Sequence, residues 1–409
     1  SFAPLPAPFD GVAGPRAPGR LAPGRPAHPR PRPTPRPGAP LAGLRVLDFS
    51  MGWSGPLCTR HLADLGAEVI KVESPAHPDW WRGWNGAEAG DPPPHEVRPG
   101  FCAMNRGKRG VLIDLAAPEG LARARALAAE ADLVVENFAP GVMDKLGLGA
   151  EALQRLAPGI VTVSMGGFGA TGPKAGWRGY GSTVEQASGL AWTHGAEGWA
   201  PCLRHVAYGD AVAGTFAAVA ALACLLGRER HGGAAVDLAQ MEALFQIAAP
   251  AILAEQVTGA PVPRRSEGRP GAAVLRAAVP DAWLAVEALA EADREALAAV
   301  VGAPGGAALA DWAAARDAET SARALQSAGL AAAPVLPAHA LATEPQLVAA
   351  GFWTEAERAF VGRHLLPGAP FRLDGARPPP RGVAPVMGEH DALYPASAAE
   401  APPVTRTAP

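Results

Sequence analysis

Tyr208-Gly209-Asp210 opens a long apolar run, AVAGTFAAVAALACLLGRER, that predicts a helix. A carboxylate there can do two things. Its oxygen can accept the free backbone N–H groups of the first turn, where the helix dipole favours the charged form. Held ionised at a helix end, the same oxygen can attack an electrophilic carbonyl. The residues alone leave cap and nucleophile both open. Asn105-Arg106-Gly107-Lys108-Arg109 sets three cations just before a strand. Arg106, Lys108 and Arg109 are candidate phosphate contacts, and a solvated charged turn is the equal alternative. Glu136-Asn137-Phe138-Ala139-Pro140-Gly141 ends a strand, where ligands bind in open α/β sheets. Gly167-Phe168-Gly169-Ala170-Thr171-Gly172 matches GxGxxG. It leads into Pro173-Lys174-Ala175-Gly176 rather than a helix, comes late in the domain and lacks a partner acid for a ribose. It therefore reads as a glycine-rich loop, and a nicotinamide-dependent dehydrogenase falls behind. Asp237 and Glu242 read as structural ion-pair residues, and His61 and His205 as satisfied core or surface histidines.

Elements of α/β spacing would position these groups. LRVLDFS (Leu44–Ser50) is a buried-strand pattern, followed by Gly52, Gly55 and Pro56, a helical LCTRHLADLGA and a second strand, EVIKVES. GVLIDLA, DLVVENF and IVTVSMGGFG add strands, and PEGLARARALAAEA and EALQRLAPG add helices. Strand and helix alternate to about residue 170, the pattern of a parallel sheet. Two helix-like stretches follow at roughly 211–230 and 237–257. Past the turn-rich RRSEGRPGAA, residues 270–350 read as a small second domain, and 355–395 as a return to the first. Boundaries are placed at 1–40, 41–235, 236–354 (linker helices and small domain) and 396–409.

The chain has 409 residues, 48% hydrophobic and 18% charged, with a net charge of −3. That suits a globular protein with a large core and gives no electrostatic case for nucleic acid. Cys58, Cys102, Cys202 and Cys224 are widely spaced, which suggests neither disulfides nor zinc; no metal is expected. No apolar stretch reaches membrane-spanning length without an interrupting Gly, Arg or His. No signal peptide is read, and the cytoplasm is the expected compartment. Residues 1–40 and the last 14 are expected to be disordered, the first stretch because it is rich in Pro and Arg with a single acid, Asp10. The first residue is Ser, which leaves open a longer parent chain.

Taken in order, the segments LRVLDFSMGWSGPLCTRHLADLGAEVIKVES, NRGKRGVLIDL, DLVVENFAPGVMDKLGLG, SMGGFGATGP, GYGSTVEQASGL, YGDAVAGTFAAVAALACLLGRERHGG and VDLAQMEALF resemble the class III CoA-transferases, the CaiB/BaiF family that includes formyl-CoA transferases and α-methylacyl-CoA racemases. The similarity is nearly continuous from Leu41 to about Pro250 and resumes at MGEHDALY. It implies a Rossmann-like parallel-sheet large domain plus a small α+β domain on long linkers, with two chains interlocked as a homodimer or as a heterodimer with a paralogue. It implies acyl-CoA and organic-acid substrates, no cofactor beyond coenzyme A as substrate, and no nucleic-acid or membrane partner. Asp210 matches the family's nucleophile in a Gly-Asp motif. Asn137, Phe138, Lys145 and Arg178 match CoA contacts, and Trp53, Ser54 and Ile113 would lie near the adenine or the thiol end.

Departures are equally specific. Gly181 stands where the racemases carry an aspartate and some transferases a glutamate, so racemase activity is not expected. Glu185, one turn on, reads as a solvated helix face or a substitute acid. Ser74 and Ala139 replace basic residues, each loss costing about 1.5–3 kcal/mol of charge-assisted bonding. The active-site loop of some transferases has no clear counterpart near 265–280. These losses motivate an alternative, a non-catalytic subunit of a heteromeric transferase. Trp80, Trp81 and Trp84 crowd one loop, which suits a bulky or aromatic acyl group or packing at a dimer contact.

Overall fold

The computed structural model describes residues 36, 38–83, 90–193, 195, 198–201, 206–260, 271–303 and 305–395. Most of the two tails expected to be disordered, and Trp84, Cys202, His205 and residues 261–270, lie outside the described residues.

The first half is a strand–helix alternation. It runs β1 (Arg45–Asp48), α1 (Ser54–Asp64), β2 (Glu68–Glu73), α2 (Pro99–Met104), β3 (Arg109–Leu112), α3 (Pro118–Ala129) and β4 (Leu133–Glu136). It continues with α4 (Val142–Lys145), α5 (Ala150–Leu156), β5 (Val161–Ser164), α6 (Gly181–Ala187), α7 (Tyr208–His231), β6 (Ala234–Asp237) and α8 (Gln240–Thr258). The six strands pair in parallel in the order β3-β2-β1-β4-β5-β6. Side chains alternate between two cores. Val46, Val69, Leu133 and Val161 face the helices α1 and α7, while Leu47, Ile70 and Val134 face α3 and α5. Burial on both faces is what β-rich apolar runs without strict alternation require. The order reverses between β1 and β4, and a ligand crevice forms outside the carboxyl ends of two such strands.

α7 is a single helix, long and apolar enough to cross a membrane by length and composition. Its interior Gly214 does not interrupt it, contrary to the sequence expectation. Ala213, Gly214, Ala217, Ala218 and Ala221 are buried and let α7 lie close on α1. A Cβ on Gly214 would sit 2.5 Å from the Ser54 carbonyl oxygen and 3.1 Å from Leu57 Cβ, so glycine here sets the approach of the two helices.

The described residues form two compact units, those within 1–192, 201–262 and 351–409 and those within 193–200 and 263–350. The boundary placed at 235 therefore falls inside β6, and α8 belongs to the sheet unit. In the second unit β7 (Ala272–Arg276), β8 (Trp283–Glu287) and β9 (Ala331–Val335) form an antiparallel sheet. Around it lie α9 (Glu291–Val301), α10 (Ala307–Ala314), α11 (Ala318–Ser327) and α12 (Pro345–Ala349). Leu284, Val286, Leu297, Leu309 and Leu325 make its core. This is an α+β unit of the expected kind.

The chain then re-enters the first unit as a hairpin of β10 (Trp353–Arg358) and β11 (Gly362–Pro367). Buried charges hold it. Arg82 pairs with Glu73 and Glu96 at 2.9 Å each, and Arg358 reaches Glu96 at 2.6 Å. Both guanidinium groups also donate to the Pro385 carbonyl. Each charge is matched by an opposite one with further hydrogen bonds, the condition for burying an ion pair.

Candidate active site

A cavity of about 770 Å³ opens at the carboxyl ends of β1, β4 and β5, at the reversal of strand order. Trp53, Asn137, Phe138, Arg178, Gly181 and Asp210 line it together. Asp210 lies in the first turn of α7, whose N-cap is Ala207. Its carboxylate does not cap its own helix. Ser54, the first residue of α1, is the polar neighbour that favours its charged form. Burial pushes the Asp210 carboxyl up to about 6 from the ordinary 3.8, and the polar neighbour Ser54 opposes that rise.

Neighbouring loops are tied around this pair. Asn137, just after β4, accepts the Met51 N–H and donates to the Met51 carbonyl, both at 2.8 Å. It also donates to Ser54 Oγ at 3.3 Å. Gln240 opens α8 and donates to Ser54 Oγ and to the Met165 carbonyl, each at 3.3 Å. Asp79, fully buried, accepts the N–H of Gly52 at 3.0 Å and of Trp81 at 2.9 Å, with Lys71 at 3.0 Å as counter-charge. The loop carrying Trp53 is therefore pinned from both sides. Trp53 stands 5.5 Å from Trp81 and Trp80 5.8 Å from Tyr180, centroid to centroid. Gln240, Asp79, Trp177 and Tyr180 carried no local signal in the sequence, because their roles come from tertiary packing.

Gly181 has a steric reason. A Cβ there would overlap Asp210 Oδ2 and lie 2.8 Å from Ala207 Cβ. The space that a side chain at 181 would occupy is already filled by the carboxylate. Glu185 is not on a solvated face. It is 1% exposed, and its Oε2 accepts the Tyr208 N–H at 3.2 Å, steadying the start of α7.

A second, smaller cavity of about 190 Å³ lies at the ends of β2 and β3, lined by Val72, Ser74, Ile113, Phe138, Val142 and Leu146 among others. Phe138 lines both cavities. Lys145 is exposed on α4 beside this second cavity, and Arg178 is exposed at the wall of the first.

Three expected phosphate contacts stand elsewhere. Arg106 is buried in a two-pronged bond to Asp64, at 3.1 and 2.6 Å. Lys108 is buried against Asp48 and Asn105 at 2.9 Å, and against the Pro56 carbonyl at 3.0 Å. Burial pulls Lys108 down to about 8, against the pull of Asp48. Both cations neutralise internal acids that a sequence pattern cannot pair with them. Arg109 is exposed, but it opens β3 at the amino end and meets His390 at 2.9 Å. Among the described residues Asp237 makes no ion pair. It accepts the Ala170 N–H at 3.0 Å and shapes the glycine-rich loop. Burial lowers His61 to about 4, so it is neutral near pH 7.

Strand order and the switch-point crevice define a doubly wound α/β protein, with the half-buried carboxylate of Asp210 in the wall of that crevice. Residues 41–391 match the family described as CoA-transferase family III, and the chain belongs to that family. It is similar to succinyl-CoA–D-citramalate CoA-transferase of Chloroflexus aurantiacus, with 37% identity over 55% of this chain and 55% of that one. It is similar also to the alpha subunit of succinyl-CoA–L-malate CoA-transferase of the same organism, with 35% identity over 51% and 48%. The chain thus spans about half the length of the curated relatives it matches. A solved CAIB/BAIF family protein from Brucella suis superposes with a TM-score of 0.75 and 27% identity, covering 87% of this chain and 98% of that one.

Proposed function

We propose that this protein moves CoA between an acyl-CoA donor and an organic-acid acceptor, with Asp210 as nucleophile. The observation that carries the reading is the Asp210 carboxylate, packed against Gly181 in the wall of the large cavity. Asp210 attacks the donor thioester carbonyl and expels CoA thiolate, leaving an acyl-aspartyl anhydride. The thiolate attacks the aspartyl carbonyl, releasing the donor acid and leaving CoA as an aspartyl thioester. The acceptor carboxylate attacks that thioester, giving a second anhydride and free thiolate. The thiolate then takes the acceptor acyl group and restores the Asp210 carboxylate. Two activated exchanges replace one slow one, and the steps use no metal or redox cofactor.

In this reading the adenine end enters the smaller cavity against Ile113 and Phe138, and the thiol end passes Phe138 and Trp53 towards Asp210. Lys145 and Arg178 are the cations placed for the phosphates. The indoles of Trp53, Trp80, Trp81 and Trp177 support a bulky or aromatic acyl group. Equal rates with short aliphatic and aryl donors would remove that refinement. Phe216, Val219 and Leu226 of α7 and Leu253 and Val257 of α8 are exposed, which supports a second chain covering them, as a homodimer or with a paralogue.

The test is mass spectrometry of the intact protein after incubation with a panel of acyl-CoA donors. A CoA-sized adduct on Asp210 that hydroxylamine removes supports the proposal. A folded dimer that forms no adduct with any donor favours the alternative, a subunit that shapes a partner's site. That alternative is motivated by the missing carboxylate at Gly181 and the lost basic residues at Ser74 and Ala139. Co-purification with a more complete paralogue would support it.

A further inference from the structure

We infer that Asp79 is a positioning residue: one oxygen of its buried carboxylate ties together the two loops that carry Trp53, Trp80 and Trp81, and so sets the indole wall against which an acyl-CoA lies. This rests on the reading of the large cavity as an acyl-CoA site and adds to it the group that gives one wall its shape.

Asp79 is fully buried. Its Oδ1 accepts two backbone N–H groups, that of Gly52 at 3.0 Å and that of Trp81 at 2.9 Å. The first lies 27 residues away, in the loop before α1 that carries Trp53. The second lies in the single turn Trp80–Arg82 that Asp79 itself caps. A carboxylate oxygen has two lone pairs, and these two N–H groups use both. Oδ2 faces the Lys71 ammonium at 3.0 Å, and the Asp79 N–H is held by Glu73 Oε1 at 3.1 Å. Both anchors lie on β2, so the carboxylate takes its place from the sheet and passes it on to the loops. Gly52 completes the join. Its φ of 73° is in the left-handed region, and a Cβ there would overlap the Trp80 indole. Trp80 therefore packs directly on the backbone that Asp79 holds. Trp53 is the next residue, and its ring lies 5.5 Å from that of Trp81. All three indoles line the large cavity with Asp210.

A wall fixed before binding spares the ligand the cost of ordering it. The pantetheine and acyl carbons of a donor then meet preformed aromatic surface. Without the Oδ1 acceptor, two buried N–H groups lose their partner, and the loops must move to satisfy them. The indoles move with the loops. Asp210 stands on α7, outside both loops, and keeps its reactivity. The mark of this role is weaker donor binding with kcat preserved. A change that only loosens the fold lowers the melting temperature and leaves the Kd of the folded protein as it was.

The experiment compares wild type with Lys71→Met/Asp79→Asn, Lys71→Met/Asp79→Ala, Gly52→Ala and Asp210→Asn. The Lys71 change removes the counter-charge from both double variants, so the comparison between them isolates the oxygen at position 79. Near-UV circular dichroism reads the packing of the indoles. Quenching of tryptophan fluorescence by CoA and by benzoyl-CoA reads Kd, and kinetics with one donor found active read KM and kcat. The asparagine variant keeps an oxygen for both N–H groups and should hold Kd within about threefold of wild type. The alanine variant should raise Kd and donor KM about tenfold, the worth of one hydrogen bond to a charged group. It should keep kcat within about threefold and flatten the near-UV tryptophan signal. Gly52→Ala leaves every charge in place and should do the same through Trp80, which covers the case of a double variant that does not fold. If the alanine variant and Gly52→Ala both keep the wild-type near-UV signal and Kd, the proposal is wrong. An asparagine variant as weak as the alanine one would overturn it too, as would a loss of kcat at unchanged Kd. Asp210→Asn should bind benzoyl-CoA with wild-type Kd and turn nothing over. If it is fully active, the nucleophile reading fails, and the binding data alone decide the role of Asp79. If wild type binds neither CoA nor benzoyl-CoA, the reading of the cavity fails and takes this inference with it.

Discussion

Replacing Asp210 with Asn should make the protein more stable and inactive at once. The folded carboxyl titrates at about 6 against an ordinary 3.8 because burial disfavours its charge. A raised folded pKa means that the protonated acid is the form the fold prefers. Its favourable contribution is complete below pH 3.8, fades between 3.8 and 6, and is gone above. At 1.36 kcal/mol per pH unit the cost of holding the charged form reaches about 3 kcal/mol above pH 7. At pH 5 it is roughly half of that. Asparagine is never charged and has nearly the same size, so the variant escapes the cost. Thermal unfolding of both proteins from pH 5 to 8 is the assay. The variant should melt higher at pH 8, by roughly 3–6 °C for a chain of this size. The gap should narrow as the pH falls. A wild type that melts at or above the variant at pH 8, or a gap independent of pH, would refute the idea that the acid is held against its preference. The same substitution should abolish the CoA adduct.

Activity of the wild type should decline as pH falls through about 6, where Asp210 takes up its proton; a kcat profile flat from pH 5 to 8 would contradict this. Gly181→Ala forces a methyl onto Asp210 Oδ2 and should lower kcat by at least about 100-fold while costing about 1–3 kcal/mol of stability, read by kinetics and melting in parallel. Lys108→Met leaves the buried Asp48 without its 2.9 Å partner and should cost about 3–5 kcal/mol in urea unfolding, whereas a phosphate-binding lysine would change CoA affinity and leave stability alone.

Much of the sheet was legible because apolar strand runs and helical spacing repeat at short range. The runs read at Leu44–Ser50, DLVVENF and IVTVSMGGFG contain β1, β4 and β5. β6 was missed, since AAVD carries a single branched apolar residue and none of its four positions is fully buried. Asp210 was found as a carboxylate at a helix start, yet its surroundings were not. A capping bond to its own helix is a local expectation, whereas its place against Gly181 of α6 needs the tertiary packing of α6 on α7. Distance in sequence also hid the pairs Arg106–Asp64 and Lys108–Asp48, which turn exposed-looking cations into internal ones. Glu185 looked solvated because burial of a helix face depends on what is packed above it. Gly181 looked like a loss, and its reason is a clash visible only in three dimensions.

The clamp of Arg358 on Glu96 has a consequence for the order of assembly. A ribosome delivers Glu96 and Arg82 long before Arg358, with the whole second unit emitted in between. The sheet of the first unit can pair its strands during synthesis, but the acid at 96 waits for its second guanidinium until the hairpin emerges. Final closure of the first unit is therefore a late event, and a chain stalled within the second unit would display a half-neutralised acidic seam to the cell's quality-control machinery.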